Sequence, residues 1–193
     1  WGAAVVMVLL EGSRFLKDYL PRIGMSDVAD IAAALIHFTG YETPVGQIKV
    51  PTLAHQLLGR LLGSADIIAQ MSDRCYLEKC RDRLYPEFVL GGLAGRGRAT
   101  ERVLPSFASG EDLVQKTPAF YENAIKRLDL QLARSYEYAA VHFGGSNPYL
   151  DEMRKNVRYA QELARDASSG LRRAPPRTLL PNVRPYPDDL TKH

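Results

Sequence analysis

Residues 57–88, which read LLGRLLGSADIIAQMSDRCYLEKCRDRLYPEF, determine the fold prediction. Apolar side chains recur in this stretch at steps of three and four residues, which is the spacing of one face of an α-helix. Thr52 precedes the apolar run, and its hydroxyl can accept backbone N–H groups at a helix start. The pattern predicts a long helical run over residues 53–85, bent or broken at residues 72–73 and stopped by Pro86.

Helical spacing continues toward the N-terminus. Residues 3–20 are predicted to form a helix that ends at Pro21, since proline lacks the N–H that a helix interior needs. Ser26 is predicted to cap a second helix over residues 27–38. Residues 39–51 contain Gly and Pro at four positions and are therefore predicted to form a loop.

Two further helices are predicted in the C-terminal half. The first begins at Thr117, as a cap followed by a proline, and runs to residue 143, where two glycines end it. The second begins at Asn147, and its apolar stripe comprises Leu150, Met153, Val157, Ala160, Ala164 and Ala167. Because the connection is short, the two helices should form an antiparallel hairpin, which is also a candidate oligomerisation surface.

Residues 89–98 are rich in glycine and arginine. They lack the preceding strand and the Gly-Lys-Ser/Thr ending of a phosphate-binding loop, so we expect a surface loop. No strand-like alternation competes with helical spacing elsewhere, and the predicted fold class is all-α. We divide the chain into a helical domain (residues 1–88), additional helices packing on it (89–170) and an irregular, Pro-rich tail (171–193).

Charge is unevenly placed along the chain. The tail carries five Lys or Arg residues against two Asp, which accounts for the whole net charge of +3. A neutral body argues against nucleic acid as the main partner, since such binding needs many cations together. The tail is interpreted as a solvated appendage, with docking on an acidic partner as the alternative. No apolar run reaches the roughly 20 residues of a membrane helix. No secretory signal is evident either, so we expect a cytoplasmic protein.

Several common kinds of site are poorly supported. Cys75 and Cys80 are five residues apart on a predicted helix, about 140° around it, so they should neither bridge each other nor form a zinc pair. The four histidines form no His-x-x-x-His pair. His37 and His55 stand among apolar residues and are interpreted as structural histidines, with substitute metal ligation as the alternative.

Asp66 is the most informative polar residue. It stands among apolar residues, which predicts partial burial, and a buried carboxylate needs a cation or hydrogen-bond donors. Gln70 and Asp73 follow at i+4 and i+7 and should form a polar stripe with it. The stripe could face a metal, an arginine such as Arg14 or Arg60, or water.

The same stretch resembles the distal part of the HD-domain superfamily of metal-dependent phosphohydrolases. Residues 65–73 read ADIIAQMSD, residues 76–79 read YLEK and residues 84–88 read LYPEF, each similar to a run found in bacterial proteins of this family. Upstream YLPR (19–22) and IHFT (36–39) and downstream segments between residues 112 and 121 continue the likeness. The resemblance covers about residues 10–160 and follows a long pattern.

The resemblance implies an all-α bundle of HD-domain type with a divalent metal held by an early His, a His-Asp dipeptide and a final Asp. Asp66 matches that final Asp, while no His-Asp dipeptide occurs in the 193 residues. In a complete site the metal would activate a bound water and polarise a phosphoryl oxygen. Gln70 and Asp73 would contact Asp66 and so support the metal without binding it directly. Arg74 and Lys79 are candidate phosphate contacts, although their alternation with acidic residues is also typical of a solvated helix face.

Two functions of different class follow. The first is the C-terminal part of an HD-type phosphohydrolase acting on a phosphate ester or nucleotide, with most metal ligands encoded before Trp1 and no activity in this chain alone. The second is a non-catalytic helical binding or regulatory module that keeps the HD scaffold without its metal. The absent dipeptide motivates both interpretations.

Overall fold

The computed structural model describes residues 3–90, 107–166 and 170–174, and within these ranges the regular structure is helical and contains no strand. The α-helices are α1 (Ala3–Arg22), α2 (Ala29–Leu35), α3 (Leu53–Ser72), α4 (Tyr76–Lys79), α5 (Tyr85–Leu90), α6 (Gly110–Gln115), α7 (Thr117–Lys126), α8 (Glu137–His142) and α9 (Pro148–Arg165). Short 3₁₀ helices cover Ser26–Val28, Ile36–Phe38 and Val45–Gln47, and π-helical turns cover Cys80–Leu84 and Arg127–Gln131. The all-α prediction is confirmed for this part of the chain.

The predicted cap at the start of α3 is confirmed. Thr52 precedes the helix, and its side-chain oxygen accepts a hydrogen bond from the backbone N–H of His55 at 3.3 Å. The long run breaks where it was expected to, because α3 ends at Ser72 and Asp73 leaves the helical conformation. Pro86 does not stop the following run but lies inside α5. The π-helical turn directly before α5 already replaces the i→i−4 bonding that a proline would interrupt.

Two predicted boundaries in the N-terminal part are wrong. Helix α1 passes through Pro21 and ends at Arg22; Gly24 then takes the left-handed conformation, with φ +80°, that commonly follows a helix end. Ser26 caps nothing with its side chain, since a 3₁₀ turn begins at Ser26 itself and α2 begins at Ala29. The predicted loop at residues 39–51 is mostly irregular and contains one 3₁₀ turn.

The predicted helix from Thr117 to residue 143 is not continuous. It divides into α7, a π-helical turn and α8, because Ala133 and Arg134 take positive φ angles of 51° and 56° between them. Thr117 is not a cap either: it is the first residue of α7, and its buried hydroxyl donates to the carbonyl of Leu113. Gly144 and the glycine after it do end α8, both with positive φ.

Helix α9 begins as predicted and organises the core. Asn147 caps it by accepting the N–H of Leu150 at 3.4 Å. The buried residues of α9 are Met153, Asn156, Val157, Ala160 and Leu163, whereas Ala164 of the predicted stripe is exposed and Ala167 lies outside the described residues. Packing of α9 against both α3 and α7 joins the central run to the C-terminal half.

Two clusters of buried apolar side chains form the core. The first lies between α3, the α7 region and α9, and comprises Phe38, Val45, Ile67, Ile68, Met71, Ala124, Leu128, Leu132, Tyr136 and Met153. The second lies between the α4–α5 run, α6 and α9, and comprises Leu77, Cys80, Phe88, Phe107, Leu113, Val114, Ala160 and Leu163. Helix α9 contributes to both clusters and therefore links them.

Helix α3 approaches the 3₁₀ turn Ile36–Phe38 very closely. A Cβ at Gly59 would lie 2.5 Å from the Phe38 ring, and one at Gly63 would lie 2.5 Å from the Phe38 carbonyl oxygen. Glycine at these positions lets the backbones meet, which brings the segment after Phe38 alongside the middle of α3. None of the helices in the described part of the chain combines the length and apolar character that crossing a bilayer requires.

The beginning of the predicted tail packs on the body. The backbone N–H of Arg173 donates to the carboxylate of buried Glu78 at 2.9 Å, and Leu171 contacts the second apolar cluster. Residues 171–174 are irregular, as predicted, and these contacts hold them against the body although residues 172–174 are exposed. Residues 175–193, like residues 91–98 of the predicted surface loop, lie outside the described residues.

Candidate functional site

Asp66 lies in the middle of α3, at the border between two faces of the helix. One side of the border carries buried Gly63 and Ile67, and the other carries exposed Leu58 and Leu62. The Asp66 side chain is half-buried, as predicted, and Gln70 donates its Nε2 hydrogen to Asp66 Oδ1 at 2.7 Å. The i, i+4 pair of the predicted polar stripe is therefore formed.

Arg127 is the cation whose charge acts on Asp66, and no sequence pattern predicted it. Its side chain is buried, and Nη2 donates to the backbone carbonyls of Phe38, at 2.8 Å, and Gly40. Its guanidinium lies over the Tyr41 ring, 4.0 Å from the ring centre. One signal was available, because Arg127 shares a helical face with apolar Ala124 and Leu128, where an unpaired arginine is disfavoured.

Neither of the two arginines suggested from the sequence is the cation that acts on Asp66. Arg14 is exposed and pairs with Glu11 at 2.9 Å. Arg60 lies on α3 itself, and its buried Nε has no hydrogen-bond partner in the described residues. Arg127, 61 residues from Asp66 along the chain, therefore has the role that was expected of Arg14 or Arg60.

The groups around Asp66 oppose the effect of burial on its pKa but do not cancel that effect. Burial raises the pKa of the Asp66 carboxyl, while the Gln70 hydrogen bond and the Arg127 charge lower it, and the net shift is upward. Burial also lowers the pKa of the Arg127 guanidinium, against the opposite effects of Tyr41, Glu42 and Asp66. Ionised Asp66 is therefore held at an energetic disadvantage, which is a property of many functional carboxylates.

Asp73 does not belong to the same polar group. Because α3 ends at Ser72, its side chain turns to the next segment, accepting the backbone N–H of Cys75 at 2.7 Å and the Lys79 ammonium at 2.5 Å. Burial raises the pKa of the Asp73 carboxyl, but these bonds and the nearby charges outweigh it and the net shift is downward. The residue stabilises a turn, and Lys79 is its partner.

Arg74 is exposed beside this turn. Its backbone carbonyl accepts a hydrogen bond from the Arg173 guanidinium, so residues 170–174 pass next to it. The structure thus separates the predicted residues into two places: Asp66 with Gln70 on α3, and Asp73, Arg74 and Lys79 at the turn that follows.

The described histidines lie in different parts of the fold, and both cysteines are buried. His37 Nδ1 lies 2.8 Å from Glu42 Oε1, His55 Nδ1 lies 2.8 Å from the Thr52 hydroxyl, and His142 is exposed. His193 falls outside the described residues. Both cysteines are buried, free thiols, as expected, and burial raises the pKa of Cys80 to about 11.

The described residues do not form a metal site by themselves. Within residues 3–90, 107–166 and 170–174, no group of three or more His, Cys, Asp or Glu side chains is arranged to hold an ion. Asp66 brings one carboxylate, whereas a catalytic divalent ion generally needs several protein ligands and an open position. A metal at Asp66 would therefore need ligands from elsewhere.

Comparison with known proteins identifies no relative. No family model, no curated protein and no solved structure matches the chain significantly.

Proposed function

We propose that this chain is the distal part of a metal-dependent phosphohydrolase of the HD type, acting on a phosphate ester or nucleotide, and that Asp66 is its last metal ligand. The observation that carries the proposal is the half-buried Asp66 carboxylate, whose pKa is raised in spite of Gln70 and Arg127. A fold that keeps a carboxylate at such a disadvantage has a reason other than stability to keep it.

The surface beside Asp66 supports the same proposal. Leu58 and Leu62 are 51% and 43% exposed, and Ala65 and Ala69, on the same side of α3, are exposed as well. A contiguous apolar strip is unusual on a free helix face and is typical of a surface that packs on another segment. Helices that supply the missing ligands would pack there, next to Asp66, and would complete the metal site.

The metal requires ligands that the described residues lack, so the proposal assigns them to residues outside the described ranges. Gln70 then has a defined task within this chain. Its bond to Asp66 Oδ1 holds the carboxylate in one orientation and leaves Oδ2 for a further contact. Asp73, Arg74 and Lys79 have no part in the proposed site, because they lie at the following turn.

The alternative is a non-catalytic helical binding or regulatory module of the same HD-type bundle, and Arg127 favours it. Arg127 ties the segment after Phe38 to the α7 region through two backbone carbonyls, and its charge partly compensates Asp66. Such an arrangement accounts for a buried carboxylate without any metal. In this alternative a hairpin formed by α7–α8 and α9 would offer an oligomerisation surface.

The full-length gene product distinguishes the two proposals. The codons before Trp1 should encode a His-Asp dipeptide, and the purified cytoplasmic protein should contain one stoichiometric divalent ion by elemental mass spectrometry. Asp66→Asn should remove the ion and lower hydrolysis of a phosphate-ester probe by more than about 100-fold, beyond the usual effect of losing an outer-shell contact. Asp73→Asn is the matched control and should retain both.

Either of two results would overturn the phosphohydrolase proposal. One is a stop codon shortly before Trp1 with no His-Asp encoded after it. The other is a full-length protein without metal, or with metal and activity unchanged in Asp66→Asn. A metal-free, folded full-length protein would instead support the binding module.

A further inference from the structure

A cleft lies between α1, α2 and the segment that follows Phe38, and none of its lining residues belongs to α3. Its volume is about 290 Å³, close to the lower end of the range of small-molecule pockets. Lys17 lines it from α1, Asp30 and His37 from the α2 region, and Lys49 from the connecting segment. Three elements of the fold thus bring basic side chains to one concave place.

His37 is held in one orientation at the wall of this cleft. Its Nδ1 lies 2.8 Å from Glu42 Oε1, and the Glu42 side chain is only 10% exposed. Because a carboxylate only accepts hydrogen bonds, Nδ1 carries the hydrogen of this bond. The other ring nitrogen, Nε2, has no hydrogen-bond partner within the described residues. A carboxylate behind an imidazole fixes the ring so that its second nitrogen can contact a ligand.

The charges in the cleft favour an anion. Lys17 pairs with Asp30 at 3.0 Å, while Lys49 makes no ion pair with any residue that the structure describes. Asp30 is the acidic residue of the lining and is paired with Lys17, so the positive charge of Lys49 is not balanced within the lining. This surplus positive charge favours an anionic ligand such as a phosphate monoester, which carries about −1.5 to −2 near neutral pH.

We propose that this cleft binds the phosphoryl group of a small molecule, with Lys17 and Lys49 as donors to its oxygens and His37 Nε2 as a further hydrogen-bond contact. Glu42 is a positioning residue that orients His37. The inference goes beyond the proposed function, because it uses neither Asp66 nor a metal and concerns binding by this chain alone.

Calorimetric titration of the chain with inorganic phosphate and with glycerol phosphate tests the inference, at constant ionic strength adjusted with chloride. We expect saturable binding with Kd on the order of 1 mM, since the donors are partly exposed. Lys49→Gln and His37→Gln should each weaken binding by about fivefold or more, the loss of one charge-assisted hydrogen bond. In NMR spectra the His37 ring nitrogens should shift with the same Kd.

Lys155→Gln is the matched control, because Lys155 is an exposed lysine of α9 outside the cleft that pairs with Glu152. It should bind phosphate as the unaltered chain does. Binding that does not saturate, or that Lys49→Gln and Lys155→Gln weaken equally, would overturn the inference. Circular dichroism establishes that each variant is folded. If glycerol phosphate binds more tightly than phosphate, the cleft takes an ester; equal affinity assigns it to the free anion.

Discussion

Asp66 and Arg127 have different roles in the proposed site. Arg127 has structural hydrogen bonds to two carbonyls, so its charge reaches Asp66 without a direct bond. Asp66 receives one direct hydrogen bond, from Gln70. The arginine therefore lessens the unfavourable burial of the carboxylate and leaves it free to bind something else.

We predict that Asp66→Asn stabilises the isolated chain at pH 7. Because the pKa of Asp66 is raised on folding, the folded state binds this proton to a higher pH than the unfolded state does. Stability is therefore lost as the pH rises through the folded-state pKa, and asparagine avoids that loss while it can keep the Gln70 bond.

Thermal melting from pH 3 to pH 8 measures this effect. The stability gained by Asp66→Asn should be present at neutral pH. It should vanish below the unfolded-state pKa of an aspartate, because Asp66 is then protonated in both the folded and the unfolded state. Asp73→Asn should behave oppositely and destabilise at neutral pH, since the pKa of Asp73 is lowered. A lower melting temperature for Asp66→Asn at pH 7 would show that the Arg127 charge outweighs burial.

At the scale of the helices, the close contact between α3 and the 3₁₀ turn Ile36–Phe38 positions the site. Gly59 and Gly63 lie on the face of α3 that touches Phe38, whose side chain is fully buried. This contact places the Phe38 and Gly40 carbonyls where Arg127 can reach both. The geometry around Asp66 thus depends on Gly59 and Gly63, which have no functional side chain.

We predict that Gly63→Ala destabilises the chain by about 2 kcal/mol, even though alanine is the better helix former. Its Cβ would lie 2.5 Å from a backbone oxygen and 3.0 Å from Leu132 Cδ2, so α3 must move. Urea unfolding measures the change. Gly46→Ala is the control, because nothing lies within 4 Å of its Cβ. Equal stability of the two variants would mean that α3 moves at little cost.

At the scale of the whole molecule, residues 170–174 close the second apolar cluster, and we refer to them as the strap. The Tyr159 hydroxyl donates to Gly170 and accepts the N–H of Arg172, while Glu78 accepts the N–H of Arg173. The Cys75 thiol donates to the carbonyl of Ala174 at 3.6 Å. The strap therefore covers a buried carboxylate and a buried thiol together.

We predict that Leu171→Asp loosens the strap and speeds labelling of Cys75 by a thiol reagent about tenfold, since labelling requires local opening. Leu171 holds the strap to the second cluster, where a charge would be partly buried against apolar side chains. Cys80 should stay slow, because burial raises its pKa to about 11. Mass spectrometry identifies the labelled cysteine. Ala164→Asp, at an exposed position of α9, should leave the rate unchanged; acceleration in both variants would contradict a role specific to the strap.

The sequence by itself determined the features that neighbouring residues control. Helical spacing identified α1, α2, α3 and α9, Thr52 and Asn147 mark true helix starts, and the i, i+4 spacing placed Gln70 on the same stripe as Asp66, where the two form a hydrogen bond. Tertiary structure decided what distant residues control. It selected Arg127 as the cation, and the chain turns at Ala133 where apolar spacing alone predicted a continuous helix.

The physical reason is the range of the interactions. A cap or an i, i+4 pair lies within one helical turn, so local sequence specifies it. The partner of a buried charge depends on which segments pack together. Here Gly59 and Gly63 allow the segment after Phe38 to approach α3, and only that approach brings Arg127, Tyr41 and Asp66 together.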